Sequence, residues 1–208
     1  MKLLETGAVV DGFTIDDCIH SGGMAHIYRV HYADGQRDPG FAMAMKVPRM
    51  TTGDGAENIV SFEIECQIMQ VLQGHHVPRF VAAGDLSRLP YLVMEYVDGV
   101  TLRRFCRADT LLPLDQIVEI GFKCAMALGY VYRQGVIHRD VKPANLLAVM
   151  NDDQVVDVKI TDFGSAFNQT SDATQVYRVG SLAYMSPEQL DGDTLDCRAD
   201  LYSLAAVL

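Results

Sequence analysis

Paired cysteines are missing from this sequence of 208 residues. Its five cysteines are odd in number and widely scattered, and no C-x-x-C pair occurs among them. This distribution argues against both a disulfide framework and a cysteine-based zinc site. We therefore expect reduced thiols and a cytoplasmic location.

Long apolar runs and an excess of basic charge are also missing. No stretch approaches the ~18 apolar residues that a membrane-spanning helix needs, and the N-terminus, interrupted by Glu5, Gly7 and Asp11, makes a poor signal peptide. The sequence has 17 Lys and Arg against 27 Asp and Glu, for a formal net charge of −10. Such acidity argues against a nucleic-acid-binding face. We expect a soluble protein with no membrane segment and no nucleic-acid partner.

The first half of the chain is rich in strand signals. A Gly-Gly pair and the turn signal DGQRDPG separate three short runs that predict antiparallel strands: FTIDDCIH, AHIYRVHYA and FAMAMKV. Apolar residues at helical spacing over residues 57–73 predict a helix that ends at Gly74. FVAAG and LPYLVMEYV indicate two more strands. Alone, the Gly22-Gly23 pair is typical of a hairpin turn.

Helical signals take over after the linker VDGVTL. Residues 114–135 predict a helix that ends near Gly135 and has one apolar face, formed by Ile117, Ile120, Cys124, Leu128 and Val131. NLLAVM and VVDVKI flank NDDQ, which is a hairpin signal. The final run, LYSLAAVL, has no capping residue, glycine or proline. We therefore expect that the chain stops inside a helix of a longer protein.

The stretches VIHRDVKPANLL and ITDFGSA combine most of the reactive side chains. They lie in loops at the ends of one predicted hairpin, so their polar groups can converge. Asp140 can accept a proton from a hydroxyl, while Asn145 and Asp162 offer the hard oxygen ligands that magnesium prefers. Lys142 can neutralise charge on a transferring phosphoryl group. This pattern indicates phosphoryl transfer.

The order and spacing of these motifs resemble the eukaryotic-like protein kinase family, from about residue 13 to the end. HRDVKPAN resembles the catalytic loop H-R-D-L-x-x-x-N, and DFG matches in full. MAMK resembles the family's V-A-I-K strand, SPE stands where the family has A-P-E, and DLYSLA resembles the helix that anchors the catalytic loop. SGGMAHIY and YMSPEQ are similar to bacterial serine/threonine kinases.

The resemblance implies an α+β fold with two lobes. After an N-terminal leader at 1–12, residues 13–97 would form a small β-rich N-lobe with its αC helix. Residues 98–208 would form a mainly α-helical C-lobe, incomplete at its C-terminal end and stopping in an αF-like helix. We expect the domain boundary near Asp98-Gly99, where the strand signals end.

The resemblance also implies a role for each polar group. Asp140 would be the catalytic base with Lys142 beside it, and Asn145 and Asp162 would be the magnesium ligands. Lys46 would hold the α- and β-phosphates of ATP.

On the predicted αC helix, Glu65 would pair with Lys46. Glu63 is the alternative partner, but it lies two residues away and faces elsewhere on the helix.

The nucleotide site follows from the same resemblance. The loop aligns with G-x-G-x-x-G so that Gly22 holds the central position, followed by Gly23, while His20 and Ala25 replace the outer glycines. The adenine would lie under Ile19, Ile27 and Ala44 and over Leu147. Met94 would be the gatekeeper, and the backbones of Glu95 and Val97 would bond the base.

Substrate class and regulation come from the residues around the base. Lys142 resembles the serine/threonine class, and Ser181 stands where the family has a threonine that bonds the catalytic aspartate and lysine. Arg139 implies control by phosphorylation between Asp162 and Glu188, and the candidate hydroxyls are Thr170, Ser171 and Thr174.

We therefore expect an ATP- and Mg²⁺-dependent protein kinase acting on Ser/Thr hydroxyls of protein substrates. Self-association would serve trans-autophosphorylation. The alternatives are a nucleotide-binding pseudokinase, a scaffold module and a small-molecule kinase. The first normally lacks one of the key residues, and the last normally lacks the DFG and A-P-E pair.

Overall fold

The fold is described from a computed structural model of the chain, which describes residues 3–35, 37–49, 55–86, 88–169 and 180–208. The chain divides into two compact units. The first comprises Met1–Gln70 and Arg79–Tyr96, and the second comprises Val71–Pro78 and Val97–Leu208.

A six-stranded antiparallel sheet forms most of the first unit, in the order β1-β2-β3-β4-β6-β5. Its strands are β1 (Val9–Val10), β2 (Phe13–Ser21), β3 (Ala25–Tyr32), β4 (Met43–Pro48), β5 (Phe80–Ala83) and β6 (Leu92–Glu95). Within the predicted leader, residues 1–12, Val9 and Val10 pair with Thr14 and Phe13 at the sheet edge.

Alternation of side chains separates the two faces of this sheet. Tyr28, Met45 and Val93 lie opposite one another on β3, β4 and β6 and are buried in one apolar cluster. Their neighbours in sequence project from the other face, because successive residues of a strand point to opposite sides. That second face carries Ile27, opposite Lys46.

One helix, α1 (Gly55–Val71), follows β4. Its buried positions include Phe62, Glu65, Cys66 and Met69, which recur at intervals of three and four residues and so share one side of the helix. The helix begins two residues before the predicted start and ends before Gly74.

The loop after α1 belongs to the second unit and not, as the predicted N-lobe of 13–97 requires, to the first. Two hydrogen bonds explain this. The backbone N–H of Gln73 donates to the Tyr130 hydroxyl at 2.7 Å, and that of Ile160 donates to the carbonyl of His76 at 2.9 Å. Val97 is also in the second unit.

Within its described residues, the second unit contains three further α-helices and two small sheets. The elements are β7 (Val100–Thr101), α2 (Leu114–Arg133), β8 (Val136–Ile137), β9 (Leu146–Asn151), β10 (Gln154–Ile160), β11 (Phe167–Asn168), α3 (Pro187–Asp191) and α4 (Cys197–Val207). β9 and β10 form the predicted hairpin, β7 adds to β9, and β11 pairs with β8. The predicted linker thus contributes a strand of its own.

Helix α2 buries the face that its sequence predicts, including Ile120, Cys124, Leu128 and Val131. Gln134 caps it, and Gly135 follows with φ of +76°, a left-handed conformation that ends helices. Among the helices of the described residues, none is apolar over a length that could cross a membrane.

Candidate active site

The first unit contains an ion pair between β4 and α1. Lys46 Nζ lies 2.6 Å from Glu65 Oε2, and the two side chains are 16% and 4% exposed. Glu63 is exposed on another side of the helix. Because both charges are largely buried, removing one partner should cost more than breaking a surface salt bridge.

The turn between β2 and β3 is the predicted hairpin. The backbone N–H of Gly22 donates to the carbonyl of Ala25 at 3.0 Å, and Gly23 follows in an exposed position. Outside the turn, the backbone N–H of Arg49 donates to the carbonyl of Met24 at 2.8 Å. The loop therefore has a defined shape that β4 supports.

The side chains predicted to contact adenine lie in both units. In the first unit, Ile27, Ala44 and Met94 share the sheet face of Lys46, and Ile19 lies on β2 just before the turn. Glu95 donates its backbone N–H to the carbonyl of Arg79 at 2.8 Å, so a further bond from Glu95 to a base would use its carbonyl.

In the second unit, Val97 and Leu147 are half-buried, and Leu147 lies on β9 opposite Lys159.

The second unit contains the predicted catalytic loop between β8 and β9. Lys142 Nζ donates to Asp140 Oδ2 at 2.7 Å and to the Ser181 hydroxyl at 2.9 Å. Asn145 Nδ2 donates to the carbonyl of Asp140 at 2.9 Å and to its Oδ2 at 3.2 Å. One oxygen of Asp140 is thus held by two donors.

The other oxygen of Asp140 is different. Oδ1 is buried and makes no hydrogen bond to any residue that the structure describes. A buried carboxylate oxygen without a partner is costly, and such exceptions often mark functional sites. Its position leaves one acceptor for an incoming hydroxyl.

A buried carboxylate on α4 fixes the backbone of this loop. Asp200 Oδ2 accepts from the backbone N–H of His138 at 2.7 Å, and Oδ1 accepts from that of Arg139 at 2.8 Å. Burial raises the pKa of Asp200, although these two hydrogen bonds and the nearby cations oppose the rise. The bonds hold Arg139 at a φ of +64°, which is rare for a residue with a side chain.

The guanidinium of Arg139 connects the loop to the beginning of the activation segment. Nε donates to the carbonyl of Ser165 at 2.6 Å and Nη2 to that of Ala166 at 3.4 Å. Burial lowers the pKa of Arg139, while Asp200 acts in the opposite direction.

Gly180 packs against the same loop. A Cβ there would lie 2.5 Å from the carbonyl oxygen of Arg139, and the residue has φ of +127°, so this position requires glycine.

Asp162 and Phe163 begin the DFG stretch after β10. Asp162 has φ of +66°, and Phe163 is fully buried with its ring centroid 4.8 Å from that of His138. The backbone N–H of Thr161, just before this stretch, donates to the carbonyl of Asn145 at 2.9 Å and so bonds the stretch to the predicted catalytic loop.

The last residues of the set belong to the predicted activation segment. Glu188 lies half-buried in α3, and Thr170, Ser171 and Thr174 lie outside the described residues.

Three residues with structural roles in this site are missing from the sequence-based set. They are Asp200, Gln189 and Ser203. Gln189 Nε2 donates to the carbonyl of Arg139 at 2.9 Å, and the Ser203 hydroxyl donates to the carbonyl of Tyr184 at 2.7 Å. Asp200 lies inside the recognised stretch DLYSLA, so that motif was the available signal. Ser203 lies in the same stretch, and Gln189 lies in YMSPEQ, so recognised motifs contained these two residues as well.

Comparisons with known proteins agree with these motifs. The protein kinase domain family matches residues 13–208. Serine/threonine-protein kinase PknB of Mycobacterium leprae is 34% identical over 206 residues, which cover 95% of this chain and 32% of that protein. A probable serine/threonine-protein kinase of Clostridium perfringens is 35% identical over 193 residues, which cover 92% of this chain and 27% of that protein. The chain thus spans about a third or less of these curated relatives.

A solved structure supports the same assignment. The crystal structure of the Mycobacterium tuberculosis PknI kinase domain matches with a TM-score of 0.71 and 27% sequence identity, covering 99% of this chain and 74% of that one. The predicted kinase-like α+β fold is thereby confirmed. The chain belongs to the protein kinase domain family.

Proposed function

We propose that this chain transfers the γ-phosphoryl group of ATP to serine and threonine hydroxyls of protein substrates. The relatives named as serine/threonine kinases support the substrate class. The observation that supports the chemistry best is the carboxylate of Asp140, with Oδ2 held by Lys142 and Oδ1 buried without a partner among the described residues.

In this proposal, Asp140 orients the substrate hydroxyl through Oδ1 and accepts its proton. Lys142 keeps the carboxylate in place and stabilises negative charge on the transferring group, while Ser181 fixes the position of Lys142. Phosphoryl transfer depends mainly on positioning and charge stabilisation. The preformed hydrogen bonds around Asp140 supply the positioning.

Magnesium and ATP belong to the proposal as well. Asn145 donates through Nδ2, which leaves its amide oxygen as a ligand atom, and Asp162 offers a carboxylate. No cluster of three or more His, Cys, Asp or Glu side chains suited to a metal occurs in the described ranges. One carboxylate and one amide fit magnesium, which takes its remaining ligands from water and phosphates. When bound, Mg²⁺ would neutralise phosphate charge.

The residues of the first unit would serve the nucleotide. Lys46, held by Glu65, would bind the α- and β-phosphates, and the backbone at Gly22 and Gly23 would approach them. The adenine would contact Ile19, Ile27, Ala44 and Leu147, with Met94 beside it and the backbones of Glu95 and Val97 bonding its edge.

Regulation by phosphorylation of Thr170, Ser171 or Thr174 is a further part of the proposal. Arg139 already bonds the carbonyls at the start of this segment, so a phosphate near it would add charge-assisted bonds and order the rest. Self-association would allow one copy to phosphorylate another. The five free thiols suit a reducing cytoplasm. Replacing all three hydroxyl residues by alanine should lower activity, and unchanged activity would contradict this part.

The main experiment follows label transfer from radiolabelled ATP with magnesium to a generic serine/threonine substrate. We expect label with the wild type and with Asp153→Asn, an exposed turn variant, but none with Asp140→Asn. Label that persists in Asp140→Asn would overturn the mechanism. Nucleotide binding without transfer in the wild type would favour a pseudokinase.

A further inference from the structure

His20 occupies the first position of the phosphate loop, where the family pattern has glycine. It lies opposite Ile27 across the β2–β3 hairpin, and Ile27 lies opposite Lys46 across β3 and β4. Directly opposed residues of antiparallel strands project from the same face. His20 and Lys46 therefore share one face of the sheet.

The imidazole of His20 reaches over Gly22. A Cβ built on Gly22 would lie 2.9 Å from Nε2 and 3.5 Å from Cδ2 of His20. The ring thus covers the bare backbone of the central glycine and fills the space that a side chain there would take. His20 itself is exposed, so its ring can turn without breaking a packed core.

The next residue, Ser21, faces the other way. Its hydroxyl lies 3.1 Å from His26 Nδ1 and accepts from Arg49 Nη2 at 2.9 Å. Together with the bond from the Arg49 backbone to Met24, this arrangement fixes the loop from the face opposite Lys46. Because the loop backbone is held there, His20 keeps its place on the Lys46 face.

We propose that His20 is a phosphate-binding residue of this chain, whose Nε2–H donates to a phosphate oxygen of the bound nucleotide. This inference rests on the proposed function, since it needs ATP at the loop. A ring N–H donor to an ionised phosphate makes a charge-assisted hydrogen bond, which is stronger than a neutral one. A glycine at the same position offers no side-chain donor.

Binding of ATP, ADP and adenosine, measured by calorimetry with magnesium on the full chain, tests this role. We expect His20→Ala to weaken ATP and ADP binding about ten- to 150-fold, the range for one hydrogen bond to a charged group. Adenosine, which lacks phosphates, should bind equally well to both proteins. His20→Gln keeps a side-chain N–H and should recover part of the loss. His31→Ala, on the same hairpin, is the matched control and should bind like the wild type.

Three results would overturn the inference. If the ATP affinity of His20→Ala equals or exceeds that of the wild type, the ring either makes no contact with the phosphates or hinders their binding. If His20→Ala lost affinity for ATP and for adenosine equally, the substitution would have disturbed the loop. A melting temperature of His20→Ala below that of the wild type would indicate the same disturbance. If the wild type binds adenosine and ATP equally, no phosphate contact exists. If the wild type binds neither ATP nor adenosine, the proposed function is refuted, and the phosphate-binding role of His20 is refuted with it.

Discussion

Ser181 and Lys142 form a contact on which the position of the Asp140 carboxylate depends. Lys142 Nζ bonds both Asp140 and the Ser181 hydroxyl, so loss of the hydroxyl frees the lysine to move. We expect Ser181→Ala to lower kcat at least about tenfold, the lower end of the range for one charge-assisted hydrogen bond, with little change in KM for ATP. Ser181→Thr keeps the hydroxyl and should retain most activity. Steady-state kinetics would decide, and equal loss in both variants would contradict the role of the hydroxyl.

The two glutamates of α1 offer a matched test of the ion pair. Glu65 is 3% exposed and bonds Lys46, whereas Glu63 is exposed. Glu65→Gln removes the carboxylate that lies 2.6 Å from a mostly buried ammonium, so we expect a loss of about 2–4 kcal/mol in unfolding free energy and at least about tenfold in activity. Glu63→Gln should change neither by a measurable amount. Denaturant unfolding and label transfer would measure both, and similar effects from the two variants would refute the assignment of Glu65.

At the scale of elements, the β2–β3 hairpin contains a buried histidine that responds to pH. Burial, followed by the positive charge of Arg49, lowers the pKa of His26 below its ordinary value of 6.5. The folded state therefore prefers the neutral ring, and between the two pKa values the unfolded chain binds more protons. The stability that His26 contributes is complete above about pH 6.5 and is lost as the pH falls towards its folded-state pKa.

We expect His26→Asn to lose less stability than the wild type between pH 7 and pH 5. Thermal unfolding at a series of pH values would measure the difference. His76, whose pKa burial also lowers, remains in both proteins, so the comparison isolates His26. His20→Gln removes an exposed histidine of the same hairpin and should follow the wild type. Parallel pH curves for His26→Asn and the wild type would contradict the prediction.

At the scale of the whole molecule, nucleotide binding should appear as added stability. A ligand at 100 times its Kd that binds the folded state alone contributes about 2.7 kcal/mol, or about 5–11 °C in Tm for a chain of this size. We expect Mg-ATP to raise Tm and EDTA to remove most of the rise, because Asn145 and Asp162 would then hold no ion. In Asp162→Asn, the rise in Tm with ATP should be the same with magnesium as with EDTA. An equal rise with and without magnesium would contradict the metal assignment.

Much of the fold was predictable because its signals are local. Alternating runs predicted the strands around Gly22, and helical spacing predicted α1 and α2. The motif order predicted the family, which the comparisons confirm. The roles of the site residues stay predictions, although the sequence placed Lys46 beside Glu65 and Lys142 beside Ser181, and those contacts exist.

The remaining features depend on contacts between distant residues. Nothing near residues 71–78 indicates that this loop joins the second unit, because the bonds that hold it come from Tyr130 and Ile160. Strand β1 was not predicted, and its residues were assigned to the leader, because a two-residue strand has no periodicity to detect. The ring of His20 over Gly22 could not be predicted either, since sequence spacing does not give side-chain orientation.

The hydrogen bonds that the predicted catalytic loop donates to Asp200 also set an order of events during synthesis. Asp200 lies 61 residues after Arg139, whereas Glu65 follows Lys46 by only 19. At ~5–20 residues per second, the ribosome adds Asp200 on the order of 3–12 seconds after Arg139. Until then, the loop lacks the acceptor for its backbone N–H groups. A nascent chain released early would therefore contain every residue of the HRD motif and still lack its shape.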